Sequence, residues 1–172
     1  MRIRGFIACS LDGYIADDTG GVDWLEPFQA VDTGYEAFLG EIGTVVFGRA
    51  TYDQVRGLSK GWPYPGKRGL VVTSTPLEDA PVGVSAWGDG VPALISHLRA
   101  QEEDAWVVGG AALQASFLDA GALDQLEIFV IPLLLGLGVP LFAELSGPRP
   151  ATLLGTRTLD KGMVHLCYGF GG

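Results

Sequence analysis

The chain has 172 residues, eleven basic and twenty acidic for a formal charge of −9, with 48% hydrophobic residues, 18% charged residues and 26 glycines. That length suits one domain spanning 1–172, burying roughly 70% of the surface its unfolded chain exposes, and so apolar a composition excludes a disordered chain. The acidic field repels nucleic acid and anionic membranes, so neither is expected as a partner; an anionic ligand has to be held by a few placed arginines and backbone N–H groups.

Residues 3–16, IRGFIACSLDGYIA, read as a buried strand ending at the turn pair Asp12-Gly13, followed by a loop through DDTGGVDWLEPF. Tyr35, Phe38, Leu39 and Ile42 fall at i, i+3, i+4 and i+7, which predicts an amphipathic helix over 33–42 stopped by Gly43. TVVFGRATYDQV then reads as an apolar strand, a turn at Gly48 and a short helix. GLVVTST (69–75) is a third strand and VGVSAW a fourth, and Leu94, Ile95 and Leu98 place a helix across 91–103. AWVVGG is a strand and AALQASFLDAG its helix, with Leu113, Phe117 and Leu118 facing inward and Gly121 as the C-terminal cap. LEIFVIPLLLG, ATLLGTRTLD and MVHLCYGF are three more strands, and Pro132 inside the first favours a sheet edge or a bulge there.

Strand and helix alternate for two thirds of the chain and strands follow, which implies an α/β fold in three α/β/α layers. Its central sheet is mostly parallel and ends in an antiparallel C-terminal hairpin. The apolar run at the N-terminus is too short for a signal sequence and no run reaches membrane-spanning length. Cys9 and Cys167 stand alone in apolar segments and read as buried thiols of a reducing compartment, so a cytoplasmic protein is expected.

Three strand ends are competent to hold phosphate. In VVGGAAL a strand feeds Gly109-Gly110 and then a helix, so free N–H groups and the positive helix end meet at one spot; a tight packing turn fits the pattern equally well. VVFGRATYDQV repeats the geometry with Gly48, Arg49 and the hydroxyl of Thr51, and VVTSTP puts Thr73 and Ser74 at a third end. Ligands of open α/β sheets bind outside the carboxyl ends of strands, so the three are expected to converge. GWPYPGKR (61–68) has a P-loop skeleton, but Arg68 stands where a Mg²⁺-binding hydroxyl belongs and two prolines remove N–H donors. The segment also precedes a strand, so it reads as a surface loop rather than a phosphoryl-transfer site. His97 and His165 have no ligand-spaced neighbours and read as surface and strand-packing residues, so no metal is expected. Asp17-Asp18 reads as a solvated turn.

In order and spacing, ACSLDGYIA, GRATYD, VVTST, VVGGAAL and LDQLEIFVIPLLLGLGVPLF resemble the dihydrofolate reductase superfamily. They are most similar to the C-terminal reductase domain of the bacterial riboflavin-biosynthesis deaminase/reductase and its stand-alone relatives. The resemblance implies a mixed sheet of about eight strands and an NADPH cofactor. It also implies hydride transfer to a heterocyclic or ribosylamino-pyrimidine small molecule, as in 5-amino-6-(5-phosphoribosylamino)uracil reductase. By that likeness Ala8 and Ile15 frame the nicotinamide, and Gly48, Arg49 and Thr51 take the adenosine-side phosphates. Thr73 and Ser74 lie by the adenine ribose and its 2′-phosphate, and Gly109, Gly110, Ala111, Ala112 and Leu113 carry the pyrophosphate. Trp24 and Asp32 are the candidate substrate contacts. Asp32 is also the candidate catalytic acid, half-buried beside an aromatic ring, or it caps the helix over 33–42. The alternative to an enzyme is a non-catalytic NADPH-binding module of the same fold. The apolar run IFVIPLLLGLGVPLF suggests a homodimer built partly on the C-terminal strands.

Overall fold

A computed structural model of the protein describes residues 1–58 and 60–171. Ten strands and four α-helices follow in the order β1 (Ile3–Ser10), β2 (Tyr14–Ala16), α1 (Tyr35–Glu41), β3 (Ile42–Gly48), α2 (Arg49–Leu58), β4 (Arg68–Val72), β5 (Val84–Trp87), α3 (Gly90–Arg99), β6 (Asp104–Gly109), α4 (Ala111–Asp119), β7 (Gln125–Ile131), β8 (Val139–Pro140), β9 (Thr152–Thr158) and β10 (Val164–Gly169). Eight of the strands form one sheet in the order β5-β4-β3-β6-β1-β7-β10-β9. Every pairing is parallel except those of β10, which runs antiparallel to β7 and β9.

Side chains alternate across a strand, so each strand feeds two cores. On one face Val45, Phe47, Val71 and Trp106 pack with Phe38 of α1 and Tyr52 of α2. On the other, Val46, Leu70 and Val107 pack with Leu94 and Leu98 of α3 and with Leu113, Phe117 and Leu118 of α4. The expected three layers are therefore present, with α1 and α2 on one side and α3 and α4 on the other.

Several boundaries differ from the sequence reading; the third strand, for one, stops at Val72 and leaves residues 73–75 outside it. α1 ends at Glu41, and Ile42 and Gly43 open β3; both are buried, and the 3.6-residue stripe of the helix runs on into the strand. No turn separates β3 from α2, which begins directly at Arg49. α3 stops at Arg99, so residues 100–103 are outside it. β7 lies between β1 and β10, and Pro132 falls just past its last residue, so the proline ends a central strand instead of marking an edge. Beyond it, residues 133–138 form a loop that leaves Leu134 and Leu137 exposed.

That loop is pinned by the first turn. Leu11 N donates to Leu133 O (2.8 Å) and Leu141 N to Gly13 O (2.8 Å), while Asp12 Oδ1 and Oδ2 accept from the N–H groups of Leu135 (3.0 Å) and Gly136 (2.7 Å). β2 and β8 then pair as a small antiparallel sheet. Gly138 makes the approach possible: it has φ +154°, and a Cβ there would lie 2.1 Å from Ala16 O. No helix of the described residues is long and apolar enough to cross a membrane.

Candidate active site

β4, β3 and β6 are neighbours and parallel, so their carboxyl ends share one edge of the sheet, as the sequence led us to expect. The junctions after β3 and β6 touch. A Cβ on Gly48 would sit 3.6 Å from Gly110 N, and one on Gly110 would sit 3.2 Å from Thr51 Oγ1. Gly109 has φ +140°, a conformation glycine tolerates, and the Gly109–Gly110 peptide is cis. Gly110 brings no side chain to cap α4, and the first helical N–H to find a carbonyl there is that of Gln114, which donates to Gly110 O (3.0 Å). The N–H groups of residues 111–113 have no intrahelical acceptor, as at any helix start.

A cavity of about 510 Å³ opens above this junction. Of the residues expected around a cofactor, Ala8, Ile15, Thr51, Gly109, Gly110 and Ala111 line it. Val139 of β8 and Gln54 of α2 line it too, and Gln54 Nε2 donates to Gly20 O (2.6 Å), tying the loop after β2 to α2. Leu113 does not face the cavity; it is buried in the core beneath α4, while Ala112 is exposed.

Arg49, Thr73 and Ser74 sit beside this cavity rather than in its wall. Arg49 Nε donates to both oxygens of Asp53 (3.0 and 2.9 Å), and its Nη1 reaches Thr75 Oγ1 (3.0 Å) and Pro76 O (3.4 Å). Thr75 in turn lies 3.0 Å from Thr73 Oγ1. The sequence reading stopped one residue short of Thr75, although the hydroxyl run TSTP was the signal for it.

A second chamber of about 590 Å³ adjoins the first and shares Phe6, Ile7, Ala8, Leu25 and Trp106 with it. Phe28, Tyr35, Tyr64, Phe129 and Met163 complete much of its wall. Phe6 and Phe129 lie 4.5 Å apart at its floor, and Trp106 meets Tyr64 edge to face at 5.6 Å. GWPYPGK proves to be a loop and Arg68 opens β4, so the segment leads into a strand and offers no strand-to-helix phosphate cradle; its Tyr64 is buried and feeds this wall. Burial pushes the Tyr64 hydroxyl above its usual range, with Tyr35 nearby adding to it. Burial and then Glu36 raise Tyr35 as well.

Below the floor runs a buried charged chain. Arg4, 5% exposed, bonds Glu127 (3.0 Å), Asp104 (3.3 Å) and Glu41, and its guanidinium lies over the Phe38 ring. His165 stacks on Phe129 with centroids 4.7 Å apart and its Nε2 is 2.9 Å from Glu127 Oε2. Arg157 Nε donates to His165 Nδ1 (3.3 Å), so Nε2 carries the ring proton and donates it to Glu127. His165 is thus a packing histidine, as expected, and it braces the ring that floors the chamber.

Asp32 is not the half-buried acid anticipated. It is exposed, lines neither chamber and accepts from Gly34 N (2.9 Å); α1 is N-capped by Gly34 with φ 78°, so Asp32 does not cap that helix either. Its neighbours Val31 and Thr33 do line the second chamber. Trp24 packs half-buried against Val31, Phe129 and Met163 and also lines neither chamber. Among the described residues no group of three or more potential metal ligands occurs. Cys9 is buried, which lifts its thiol to about 11.

The RibD C-terminal domain model matches residues 89–165. YwjB of Bacillus subtilis (strain 168) is 38% identical over 165 residues, covering 95% of this chain and 94% of its own. The chain belongs to the RibD C-terminal domain family. A protein of Shewanella sp. PV-4 described under riboflavin biosynthesis is 31% identical with full coverage of both chains and a TM-score of 0.88. Dihydrofolate reductase from Enterococcus faecalis, solved with NADP(H) and RAB-propyl, is 20% identical, covers 99% of this chain and 97% of its own, and superposes with a TM-score of 0.73. The RibD-type chain therefore has the reductase-type fold that its motifs implied.

Proposed function

We propose that this RibD-type protein is an NADPH-dependent reductase that delivers a hydride to a C=N or C=O carbon of a heterocyclic small molecule. The observation that carries the reading is the meeting of the β3 and β6 ends, with the β4 end beside them, beneath a cavity that continues, at Ala8, into a second chamber. The residues fit the cofactor. A side chain at Gly110 would crowd Thr51, so the backbone there is open to a pyrophosphate, and the N–H groups of 111–113 and the Thr51 hydroxyl are donors for it. Arg49, braced by Asp53 and Thr75, is placed to meet the adenosine-side phosphates with charge-assisted bonds. Ala8 and Ile15 leave an apolar slot for the nicotinamide, which supplies the hydride when bound. The protein's task is then to hold the acceptor ring against that slot, and the aromatic wall of the second chamber supplies the apolar surface for it.

Titration of the protein with NADPH, followed by fluorescence quenching, tests the reading. Binding at tens of micromolar or tighter is expected. Arg49→Ala should weaken NADPH about tenfold or more, the scale of one hydrogen bond to a charged group, with a smaller loss for NADH, which lacks the 2′-phosphate. No binding in that range, or an Arg49→Ala protein that behaves like wild type, overturns it.

One observation favours the non-catalytic alternative. Among the described residues no Asp, Glu, His, Lys or Cys lines either chamber, which leaves the high-pKa phenols of Tyr35 and Tyr64 as the ionisable groups that face the acceptor. Tight NADPH binding with no oxidation across pterin, folate and pyrimidine acceptors would decide for a binding module.

A further inference from the structure

We propose that the second chamber takes an uncharged planar ring bearing a carbonyl or imine, held by the Tyr35 and Tyr64 hydroxyls, and rejects phosphorylated or otherwise anionic relatives of it. The inference rests on the reductase reading and narrows its substrate class.

Charge comes first. Among the described residues, none that lines this chamber is Lys, Arg, His, Asp or Glu. An anion placed there loses its water and gains no counter-charge. The chain's net charge of −9 adds to that penalty. Arg4, the nearest buried cation beneath the floor, is already paired with Glu127, Asp104 and Glu41. Lys161, on the loop before β10, is held by the Pro27 carbonyl and is not part of the wall. A phosphoribosyl group, expected if the substrate were that of the riboflavin-pathway reductase, has no cation to receive it here.

Shape and hydrogen bonding come next. The wall is built of Phe6, Phe28, Tyr35, Tyr64, Trp106 and Phe129, whose faces and edges suit another flat ring in offset or edge-on contact. The charged chain Arg4–Glu127–His165 locks Phe129 from below, so the floor is rigid. Among the described residues no hydrogen bond involves the hydroxyl of Tyr35 or Tyr64, although Tyr64 is only 7% exposed. Neither oxygen is sealed off from solvent, so both phenols are free to take up a ligand's acceptor, and the buried donor of this wall that lacks a partner among the described residues is Trp106 Nε1. Burial raises both, so they stay protonated and can donate to a ring carbonyl oxygen or imine nitrogen.

Calorimetric titration with isatin, a neutral planar dicarbonyl, with 5-methylisatin and with isatin-5-sulfonate separates charge from size. The full chain is used, first titrated with NADP⁺ and then with each probe, with and without saturating NADP⁺. Isatin and 5-methylisatin should bind within about threefold of each other, and the sulfonate at least about tenfold more weakly. Tyr35→Phe and Tyr64→Phe, which keep the packed ring, should each weaken isatin about fivefold, the value of one neutral hydrogen bond. A sulfonate that binds as tightly as 5-methylisatin, absence of neutral-probe binding at millimolar concentration, or Phe variants that match wild type overturns the inference. Failure of NADP⁺ itself to bind, with the probe series as expected, strikes the reductase reading instead.

Discussion

Asp12 accepts from Ser10 Oγ (2.6 Å) and from two backbone N–H groups of a loop more than 120 residues away, at Leu135 and Gly136. The Ser10 bond first, and the two N–H groups after it, hold its carboxyl down at about 2. An unfolded aspartate titrates near 3.9. Because the folded value is depressed, the stabilisation is fully present above about pH 4 and is lost as pH falls from there through about 2. Asp12→Ala should therefore melt lower than wild type at pH 7, and the gap in Tm should close between pH 4 and 2; a gap that stays constant across that range would refute the role. The sequence marks Asp12 only as a turn residue. Nothing local reveals its partners, because the turn and the 133–138 loop meet through the parallel pairing of β1 with β7.

The elements of the parallel half were legible because each strand is a short apolar run closed by a Gly or a hydroxyl cluster. The three phosphate-competent ends follow once those strands are set side by side. The second chamber was not legible, because Phe6, Tyr35, Tyr64, Trp106, Phe129 and Met163 come from six separate segments and each looks like ordinary core or loop. Asp32 misled because its place just ahead of α1 says nothing about which way that loop turns, and it turns this carboxylate to solvent. The small β2–β8 sheet was also missed: three- and two-residue strands carry no periodicity. That sheet matters to the site, since Ile15, Ala16 and Val139 roof the first cavity. Gly138→Ala puts a methyl 2.1 Å from Ala16 O at a φ that suits only glycine, so β8 has to leave β2. We expect NADPH affinity to fall at least about tenfold and the segment 133–142 to become sensitive to limited proteolysis, while far-UV circular dichroism of the main sheet is retained. Unchanged proteolysis and affinity would show that the roof tolerates the methyl.

At the scale of the whole molecule, the sheet has one long open edge. Among the described residues β9 pairs with β10 alone, and six of its seven residues are exposed. Leu153 and Leu154 are 52% and 58% exposed, and Leu153 stands opposite Tyr168, which lines an apolar hollow of about 270 Å³ with Phe142, Leu145 and Phe170. An edge of this kind invites strand addition unless it is covered. A second copy suits it: a two-fold axis brings β9 against β9 antiparallel, the same patch on both sides, and continues the sheet. The strand holds Arg157 but no carboxylate, so the chain's net charge of −9 is not concentrated where the copies would meet. We therefore expect sedimentation at micromolar concentration to give twice the 18.1 kDa chain mass. Leu153→Lys combined with Leu154→Lys sets like charges across the two-fold axis and should yield monomer. Because β10 and β7 separate β9 from β1, that monomer should keep the NADPH affinity of the dimer. Wild-type monomer at that concentration would exclude the pairing, and a double variant that loses cofactor binding along with assembly would mean that the second copy reaches the cleft.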